Sequence, residues 1–301
     1  MKFLVTGGAG FIGSHIAEKL VEKGEVAVFD NMSIGKEYNV PSGCKIIRGD
    51  IRNKDEINKA MHGVDIVFHN AAFVSIRGSF ERIFEDIEVN CIGTVNVLNA
   101  AIKSGVKKII FASSMAVYGE PQNIKVKETD TTVPISPYGL SKLRGEMYCK
   151  MFSEKYGIDY AILRYFNTYG TRQTPSPYVG VMTTFINQAL EKKPITIFDD
   201  GKQTRDFVWV NDVADANMLA AFPKNSGIYN VGSGKETSIN DLADKIIEIL
   251  GGKKIFLAKP EGEIGRICAD ITKAKENINF KPQGDVIKKI PEIIEWWRNK
   301  G

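Results

Sequence analysis

The chain has 301 residues, of which 43% are hydrophobic and 25% are charged, and this balance is ordinary for a soluble globular protein. Its length is enough for one large domain or two modest ones. The formal net charge of +4 is compatible with an anionic small-molecule ligand but is too small to indicate a nucleic-acid partner.

Strands alternate with helices through the first half of the chain. The apolar run "KFLVTGG" predicts a buried strand, and "FIGSHIAEKLVEKG" after it has helical spacing up to Gly24. The segments "EVAVFD", "CKIIRGDI", "DIVFHNAA" and "KKIIFASS" predict further strands, and "VNCIGTVNVLNAAIKSG" predicts a helix that Gly105 ends. This alternation predicts an α/β fold with a doubly wound parallel sheet.

The pattern loosens after about residue 165. The proline-rich stretch "RQTPSPYVG" predicts a loop, "MTTFINQALEKK" a helix and "ITIFDDG" a strand. In "SINDLADKIIEILGG", Ser238 and Asp241 predict a capped helix that ends at Gly251. We predict a first domain over residues 1–166 and a smaller mixed α/β domain over 167–301, with some segments of the second returning to the first.

The sequence predicts neither export, nor a membrane span, nor a metal site. The N-terminus "MKFLVTGG" enters a strand directly, so no signal peptide is expected, and no apolar run approaches ~20 residues. The three histidines form no metal motif, and the four cysteines lack metal-type spacing. We expect a cytoplasmic protein with reduced thiols at Cys44, Cys91, Cys149 and Cys268.

A glycine motif between the first strand and the first helix predicts a dinucleotide site. "TGGAGFIG" contains Gly8-x-Gly10-x-x-Gly13, which lets the backbone approach a pyrophosphate at a helix N-terminus. Asp30 ends the second strand, 17 residues beyond Gly13. A carboxylate there binds ribose hydroxyls and repels a 2′-phosphate, which favours NAD over NADP. The alternatives are a structural glycine turn and a strand-end Asp cap.

Tyr138 and Lys142 in "SPYGLSK" lie four residues apart and share one face of a predicted helix. A cation beside a tyrosine favours the phenolate, so the pair could act as a general base. Ser114 ends the strand "KKIIFASS", and ligands of doubly wound sheets bind at the carboxyl ends of strands. The alternative is a surface helix pair, which is the commoner reading of such a spacing when it occurs alone.

These motifs together resemble the extended short-chain dehydrogenase/reductase superfamily and its NAD-dependent epimerase/dehydratase family. The similarity runs from "TGGAGFIG" through "SS" before "AVYG", "YGLSK", "RYFNTYG" and "QTRDFVWVNDVADA" to "ADITKA". It is strongest toward nucleotide-sugar epimerases of the UDP-glucose 4-epimerase type. The resemblance implies a Rossmann domain that binds NAD, a smaller domain that binds a nucleotide sugar, and an active site in the cleft between them.

The resemblance also implies roles for individual residues. NAD would be held tightly by Gly7, Gly10, Phe11, Ile12, Gly13, Asp30, Asn31, Ser33, Asp50, Ile51, Ala71, Ala72, Asn90, Tyr138, Lys142 and Tyr165. The catalytic residues would be Tyr138, Lys142 and Ser114. The UDP-sugar would contact Ser75, Ser114, Tyr138, Asn167, Arg205 and Arg266.

The chain departs from its relatives at two places. Pro260 stands where close epimerases carry an arginine, so Lys259 or Arg266 is expected to supply the second diphosphate contact. Phe73 stands where many relatives have glutamine.

The two residues that follow Ser114 in the sequence favour one reaction of the family over the others. Dehydratases resemble this chain but carry an Asp-Glu pair where it has Met115 and Ala116, and neither of these can transfer protons. We therefore expect a 4-epimerase that interconverts UDP-glucose and UDP-galactose through a transient 4-keto sugar. The alternatives are another epimerase, a dehydratase or a decarboxylase, for example on UDP-glucuronate, and a non-catalytic dinucleotide sensor.

Two finer expectations concern the sugar and the assembly. Ile267 and Cys268 stand near a place where some relatives have a bulky tyrosine, which suggests that N-acetyl sugars could also be accepted. By resemblance we expect a homodimer built by the helices near 85–104 and 138–156. Met147, Met151 and Phe152 are apolar beyond the need of one helix face, although they could simply cover the sheet.

Overall fold

The computed structural model describes residues 1–173, 180–222, 226–258 and 265–300. Its strands are β1 (Lys2–Thr6), β2 (Glu25–Asp30), β3 (Cys44–Arg48), β4 (Ile66–His69), β5 (Lys108–Ser114), β6 (Lys125–Val126), β7 (Asp159–Tyr165), β8 (Asn167–Tyr169), β9 (Ile195–Phe198), β10 (Thr204–Arg205), β11 (Phe207–Trp209), β12 (Gly227–Val231), β13 (Thr237–Ser238), β14 (Lys254–Leu257) and β15 (Arg266–Ala269). Its helices are α1 (Phe11–Val21), α2 (Lys54–Ala60), α3 (Gly78–Glu81), α4 (Ile83–Asp86), α5 (Thr94–Lys103), α6 (Pro137–Tyr156), α7 (Val181–Leu190), α8 (Val210–Ala221), α9 (Ile239–Leu250), α10 (Thr272–Ile278) and α11 (Val286–Lys300).

Seven parallel strands form the central sheet, in the order β12-β7-β5-β4-β1-β2-β3. Successive side chains along each strand point to opposite faces, and both faces are buried. In β5, Ile110 packs in the cluster that includes α1 and α8, whereas Ile109 and Phe111 pack in the cluster that includes α2, α5 and α6. Helices on both faces of a parallel sheet confirm the predicted Rossmann-type fold.

The second half of the chain builds a smaller mixed unit, as predicted. It has a four-stranded sheet in the order β13-β10-β15-β6, to which the first half of the chain contributes β6, and the pairs β11-β8 and β14-β9, and α7, α9 and α11 share a hydrophobic cluster. β12 is nevertheless the edge strand of the central sheet, and α8 packs against α1. The division between residues 166 and 167 stays a prediction.

Helix ends follow local sequence signals. Ser238 accepts a hydrogen bond from the amide of Asp241 at 3.0 Å, and α9 stops before Gly251, as expected. α6 begins with Ser136 as its cap and ends at Gly157, whose φ is +73°. Between α4 and α5, residues Ile87–Gly93 form a π-helical stretch, a feature common at functional sites. All four cysteines are free thiols, and within the described ranges no helix is both long and apolar enough to cross a bilayer.

Candidate active site

The glycine turn after β1 closes against the end of β4. Gly7 has φ +69°, and a Cβ there would stand 2.7 Å from the backbone nitrogen of Ala71. A Cβ on Gly13 would lie 2.2 Å from the carbonyl oxygen of Gly7. Both positions therefore require glycine, and the turn leaves a backbone cradle that a side chain would fill.

The first turn of α1 and the end of β2 complete this cradle. No side chain caps α1 at Gly10, so the first amides of the helix, at Phe11 and Ile12, are available to an anion. Asp30 accepts hydrogen bonds from the amides of Ala9 (3.0 Å) and Met32 (2.8 Å). Each carboxylate oxygen accepts more than one hydrogen bond, so Asp30 can both brace the turn and bind a ribose. The residues present fit a dinucleotide.

The predicted adenosine contacts lie together beyond β2 and β3. Asn31 donates to Asp50 Oδ2 at 3.0 Å and accepts from the amide of Ser33 at 3.0 Å. Hydrogen bonds from Arg52 hold the pKa of Asp50 at about 2. The Ile51 side chain is buried in the core, so a contact between this residue and adenine falls to its main chain.

A buried hydrogen-bond chain, which the sequence analysis missed, runs beneath the cradle. The amide of Ala71 donates to Thr6 Oγ1 (3.3 Å), which bonds to His69 Nδ1 (2.7 Å). His69 Nε2 bonds to Thr94 Oγ1 (3.0 Å), and that hydroxyl donates to the carbonyl of Asn90 (2.7 Å). Because the Thr94 proton is used there, His69 must carry its proton on Nε2 and accept from Thr6 on Nδ1. The chain is satisfied only with a neutral imidazole.

Burial accordingly lowers the pKa of His69 to about 3, and that of His15 to about 4. The unfolded chain binds a proton at each site below about pH 6.5, so stability is lost as pH falls from there toward the folded pKa values. We expect each histidine to remove about 2 kcal/mol from the free energy of unfolding between pH 6.5 and 5. Urea unfolding across this range should show a pH slope that is shallower by about one proton in His69→Gln. His62→Gln, at an exposed position, should keep the wild-type slope, and equal slopes in all three proteins would contradict this assignment.

Asn90 holds the segment that follows β4. Its side-chain carbonyl accepts from the amide of Phe73 at 2.9 Å, and its NH₂ group donates to the carbonyl of Phe73 at 3.0 Å. This pair of hydrogen bonds positions Ala72 and Phe73. The Phe73 ring lies under the guanidinium of Arg82, with 5.0 Å between the guanidinium carbon and the ring centroid. Ser75 is buried, and its hydroxyl accepts from the amide of Gly78 at 2.8 Å. Its contact with the sugar stays a prediction.

The structure brings the three predicted catalytic residues together at the carboxyl edge of the sheet. β5 ends at Ser114, whose side chain neighbours that of Tyr138 at the start of α6 and acts to lower its pKa. Lys142 lies one turn further, with Nζ 5.9 Å from the centroid of the Tyr138 ring, and donates to the carbonyl of Ala112 at 2.8 Å. Tyr165 is the register partner of Ser114 on β7, so it lies at the same edge.

Burial dominates the electrostatics of Tyr138 and Lys142. Burial raises the pKa of Tyr138 to about 12, and the neighbouring Ser114 side chain opposes this only partly. Burial also lowers the pKa of Lys142 to about 8, so the amine remains mostly protonated near neutrality. In the protein alone, desolvation of the phenolate sets the direction of the shift, and the effect of Lys142 on this pKa stays a prediction.

Tyr165 is fixed by a reciprocal contact. Its hydroxyl lies 3.0 Å from Oδ1 and 2.8 Å from Nδ2 of Asn217, on α8. Burial raises its pKa, so it is a neutral, immobile wall at the strand edge. Its place beside a nicotinamide ring stays a prediction.

Asn167 and Arg205 lie on neighbouring segments of the second unit. The main-chain and side-chain nitrogens of Asn167 donate to the carbonyl of Asp206 at 3.1 and 3.2 Å. Its side chain also contacts Met115 Sδ at 3.6 Å, directly after Ser114. Arg205 donates to the carbonyls of Thr204 (2.8 Å) and Gly265 (3.0 Å). The Met115 contact links Asn167, a predicted UDP-sugar residue, to the end of β5.

Arg266 meets a carboxylate rather than an open cleft. Its guanidinium forks onto Glu236 with bonds of 2.9 and 2.7 Å, and the side chain is about half exposed. A diphosphate would have to compete with Glu236 for this arginine, so its substrate role stays a prediction. Lys259 and Pro260 lie outside the described residues. The side chains of Ile267 and Cys268 are buried, so these two side chains present no exposed surface that an N-acetyl group could contact.

A glycine turn of this geometry, with Ser114, Tyr138 and Lys142 at the carboxyl edge of the same sheet, defines a dinucleotide-dependent enzyme of the Rossmann class. The model of the NAD dependent epimerase/dehydratase family matches residues 3–232. The chain therefore belongs to this family, and its cofactor is NAD, as predicted.

Proteins of known name match the chain over its whole length. A protein of Methanocaldococcus jannaschii, named provisionally as a UDP-glucose 4-epimerase, is 46% identical over 98% of each chain. A UDP-N-acetylglucosamine 4-epimerase from Methanobrevibacter ruminantium, solved with UDP-N-acetylmuramic acid, has a TM-score of 0.95 and 37% identity, covering 100% of this chain and 99% of that one. The Thermus thermophilus UDP-glucose 4-epimerase, solved with NAD, has a TM-score of 0.93 and 36% identity, with 100% of both chains covered.

Proposed function

We propose that the protein is an NAD-dependent nucleotide-sugar 4-epimerase that interconverts UDP-glucose and UDP-galactose. The observation that carries this proposal is the meeting of Ser114, Tyr138 and Lys142 at the carboxyl edge of the sheet beside the dinucleotide cradle, with Lys142 Nζ 5.9 Å from the centroid of the Tyr138 ring. The names of the full-length relatives support it. A cytoplasmic location is part of the same proposal.

Each step of the reaction assigns a task to this chain. Gly7, Gly13 and Asp30 would hold NAD, which supplies a hydride acceptor that can return the hydride. Tyr138 takes the proton of the C4 hydroxyl while Ser114 holds that oxygen, and it later returns the proton to the same oxygen, once the hydride has been added to the opposite face of C4. The 4-keto sugar must turn over between these two events. Lys142 keeps a positive charge at the site throughout.

The raised pKa of Tyr138 shapes this mechanism. A phenol with a pKa of about 12 is not a base at neutral pH, so the phenolate must be stabilised when the ligands bind. The protein contributes the Ser114 hydroxyl and the Lys142 charge. The positive nicotinamide ring is the further charge that the cradle would bring to this edge. Tyr138 is therefore a neutral phenol in the free enzyme and becomes a base only in the complex.

The residues beside the serine favour epimerisation over elimination. Met115 and Ala116 carry no proton-transfer group, and Met115 instead contacts Asn167. Dehydration across C5 and C6 would need an acid and a base at this place. The same absence of a carboxylate after Ser114 separates this site from the dehydratase alternative.

A panel of nucleotide sugars tests the proposal. The purified protein would be incubated with UDP-glucose, UDP-galactose, both N-acetyl forms and UDP-glucuronate, and NMR would report the configuration at C4. We expect inversion of UDP-glucose and UDP-galactose with no net consumption of NAD. Release of carbon dioxide from UDP-glucuronate would favour a decarboxylase, and a sugar-independent NAD absorbance with no product would favour a sensor.

We also propose a homodimer that buries the outer faces of α3, α6 and the 83–103 helical segment. Large apolar side chains are exposed there, namely Phe80, Phe84, Ile92, Leu140, Met147 and Met151. Phe84 is 81% exposed and Met151 is 58% exposed, which is unusual for adjacent surface helices. A second copy related by a two-fold axis would cover the same face on both molecules.

Charge placed on this face should separate the two copies. We expect Phe84→Glu combined with Met151→Glu to convert a dimer into a monomer, because each carboxylate would be buried without a partner at the interface. Light scattering coupled to size-exclusion chromatography would measure the mass. Phe256→Glu, at an apolar residue 54% exposed on β14, is the matched control and should stay dimeric. A wild-type monomer at micromolar concentration would refute the proposal.

A further inference from the structure

Asp86 is a buried carboxylate that the mechanism above does not use. It ends α4, is 0% exposed, and accepts a hydrogen bond at Oδ1 from Asn90 Nδ2 at 2.8 Å. Oδ2 has no hydrogen-bond donor within the described part of the chain. The nearby Ser141 hydroxyl donates to the carbonyl of Tyr138 at 2.9 Å. A charge in such a place is costly unless it acts on another charge.

The first consequence is the orientation of the Asn90 amide. An ionised carboxylate only accepts hydrogen bonds, so Asp86 must face the NH₂ group of Asn90 and not its carbonyl. This leaves Asn90 Oδ1 to accept from the amide of Phe73 at 2.9 Å, while Nδ2 also reaches Ser141 Oγ at 3.2 Å. Ser141 lies between Tyr138 and Lys142 on α6. Asp86 thus joins the segment after β4 to the catalytic helix.

The second consequence is electrostatic. Asp86 is the carboxylate that acts by its charge on both Tyr138 and Lys142, and it raises the pKa of each. Burial raises the pKa of Asp86 itself, while Lys142 opposes that effect. The other groups that interact with this centre are Ser114, His69, Cys91 and Cys149. Arg144 acts on the Cys91 thiol, and Glu146 acts on the Cys149 thiol.

We propose that Asp86 is a positioning residue of the active site, which fixes the Asn90 amide against Phe73 and α6 and balances the positive charge of Lys142. The inference rests on the proposed function only for its kinetic test. In the complex, Lys142 and the cofactor bring two positive charges to a centre with one phenolate. Asp86 supplies the second negative charge from the protein interior. It keeps Lys142 protonated while Tyr138 cycles.

The pH profile of turnover tests this role. In Asp86→Asn we expect the acid limb, set by Tyr138, and the alkaline limb, set by Lys142, both to move down by about one pH unit or more, because a charge within about 12 Å has at least that effect at an effective dielectric constant of about 20. Asp212→Asn is the matched control, because Asp212 is also buried and accepts two backbone amides, from Gln283 and Gly284, far from α6. Its limbs should stay in place.

Two further variants separate charge from packing. Ser141→Ala breaks the link to α6 but keeps the charge, so its limbs should stay in place while kcat falls. Asp86→Ser also removes the charge and introduces a smaller side chain than asparagine. It is the variant to use if Asp86→Asn does not fold. Limbs that coincide with those of the wild type in a folded, charge-free variant would overturn the proposal.

A readout that does not need turnover keeps the inference distinct from the proposed function. Ultraviolet titration of tyrosinate, taken as the difference between each protein and its Tyr138→Phe counterpart, reports the Tyr138 pKa directly. We expect this pKa to fall by about one unit without the Asp86 charge. An inactive wild type with this shift would defeat the epimerase proposal but leave Asp86 its role. An active wild type, with no change in the Tyr138 pKa when the Asp86 charge is removed, would support the epimerase proposal but overturn the role of Asp86.

Discussion

Replacing Tyr138 with phenylalanine is expected to lower kcat for UDP-galactose epimerisation by about 10³-fold, within the range typical of a lost general acid and base. The Ser114 side chain acts on the pKa of this phenol, so the phenol is the proton carrier that the site offers. The same hydroxyl serves in both proton transfers, so neither direction of the reaction should survive. KM should change little, since the ring itself remains in place.

The matched control lies on the same helix. Tyr156→Phe removes a hydroxyl from a side chain that is 49% exposed at the far end of α6, and kcat should stay within a factor of two of the wild type. The NAD content of both variants, measured after denaturation, should equal that of the wild type. Full activity in Tyr138→Phe would show that another group moves the proton, and the assignment of the active site would be wrong.

The parts of the fold that repeat a local rule were predictable from the sequence. The strand "KKIIFASS" and the helix ends at Ser238 and Gly251 carry short-range signals that survive tertiary packing. The return of β12 to the edge of the central sheet was expected only in general terms. Its pairing with β7 depends on contacts between residues about 66 positions apart, for example Gly227 with Ala161, and periodicity does not encode partners at that distance.

The site shows the same division between residue type and environment. The spacing of Tyr138 and Lys142 predicted that they share a helix face, and the structure places Nζ 5.9 Å from the phenol ring. It did not predict that Nζ would bind the carbonyl of Ala112, because that contact depends on how α6 seats on β5. The sign of the Tyr138 pKa shift follows from burial, which is a property of the packed molecule.

Buried polar partners were the least predictable. His69 and Asp86 are single residues in ordinary apolar surroundings, and nothing in their spacing marks them. The one available signal is that both directly precede or begin segments with predicted ligand contacts, "HNAA" and "DIEVN". Their roles arise from partners on other elements, Thr6 and Thr94 for His69 and Asn90 for Asp86. Only the folded geometry shows which donor meets which acceptor.

Removal of the Glu146 carboxylate should destabilise the protein more than any other single truncation on α6. Glu146 and Arg164 form a buried ion pair, with bonds of 2.9 and 2.7 Å and side chains 1% and 3% exposed. Burial works against the charge of Arg164, but Glu146 outweighs it and raises the pKa of the arginine. In Glu146→Ala the guanidinium would remain charged in the core without its partner. We expect a loss of about 3–5 kcal/mol in the free energy of unfolding.

The comparison with an exposed carboxylate on the same helix isolates this effect. Glu154→Ala carries the same substitution at an exposed position, and its free energy of unfolding in urea should stay within about 0.5 kcal/mol of the wild type. If Glu146→Ala differed from the wild type by no more than that, the ion pair would not be the support that its geometry indicates.

A double variant distinguishes an unpaired charge from lost packing. Glu146→Leu with Arg164→Met removes both charges and should recover much of the loss, because buried pairs can be replaced by apolar side chains of similar size. Tyr118 would keep its bond to Asn230 Oδ1 at 2.6 Å, but the Ser113 hydroxyl would lose Glu146, to which it donates at 2.5 Å. Recovery should therefore stop about 1–3 kcal/mol short, the cost of one unsatisfied buried hydroxyl. Because Ser113 adjoins Ser114, the same double variant should lose activity even where it regains stability.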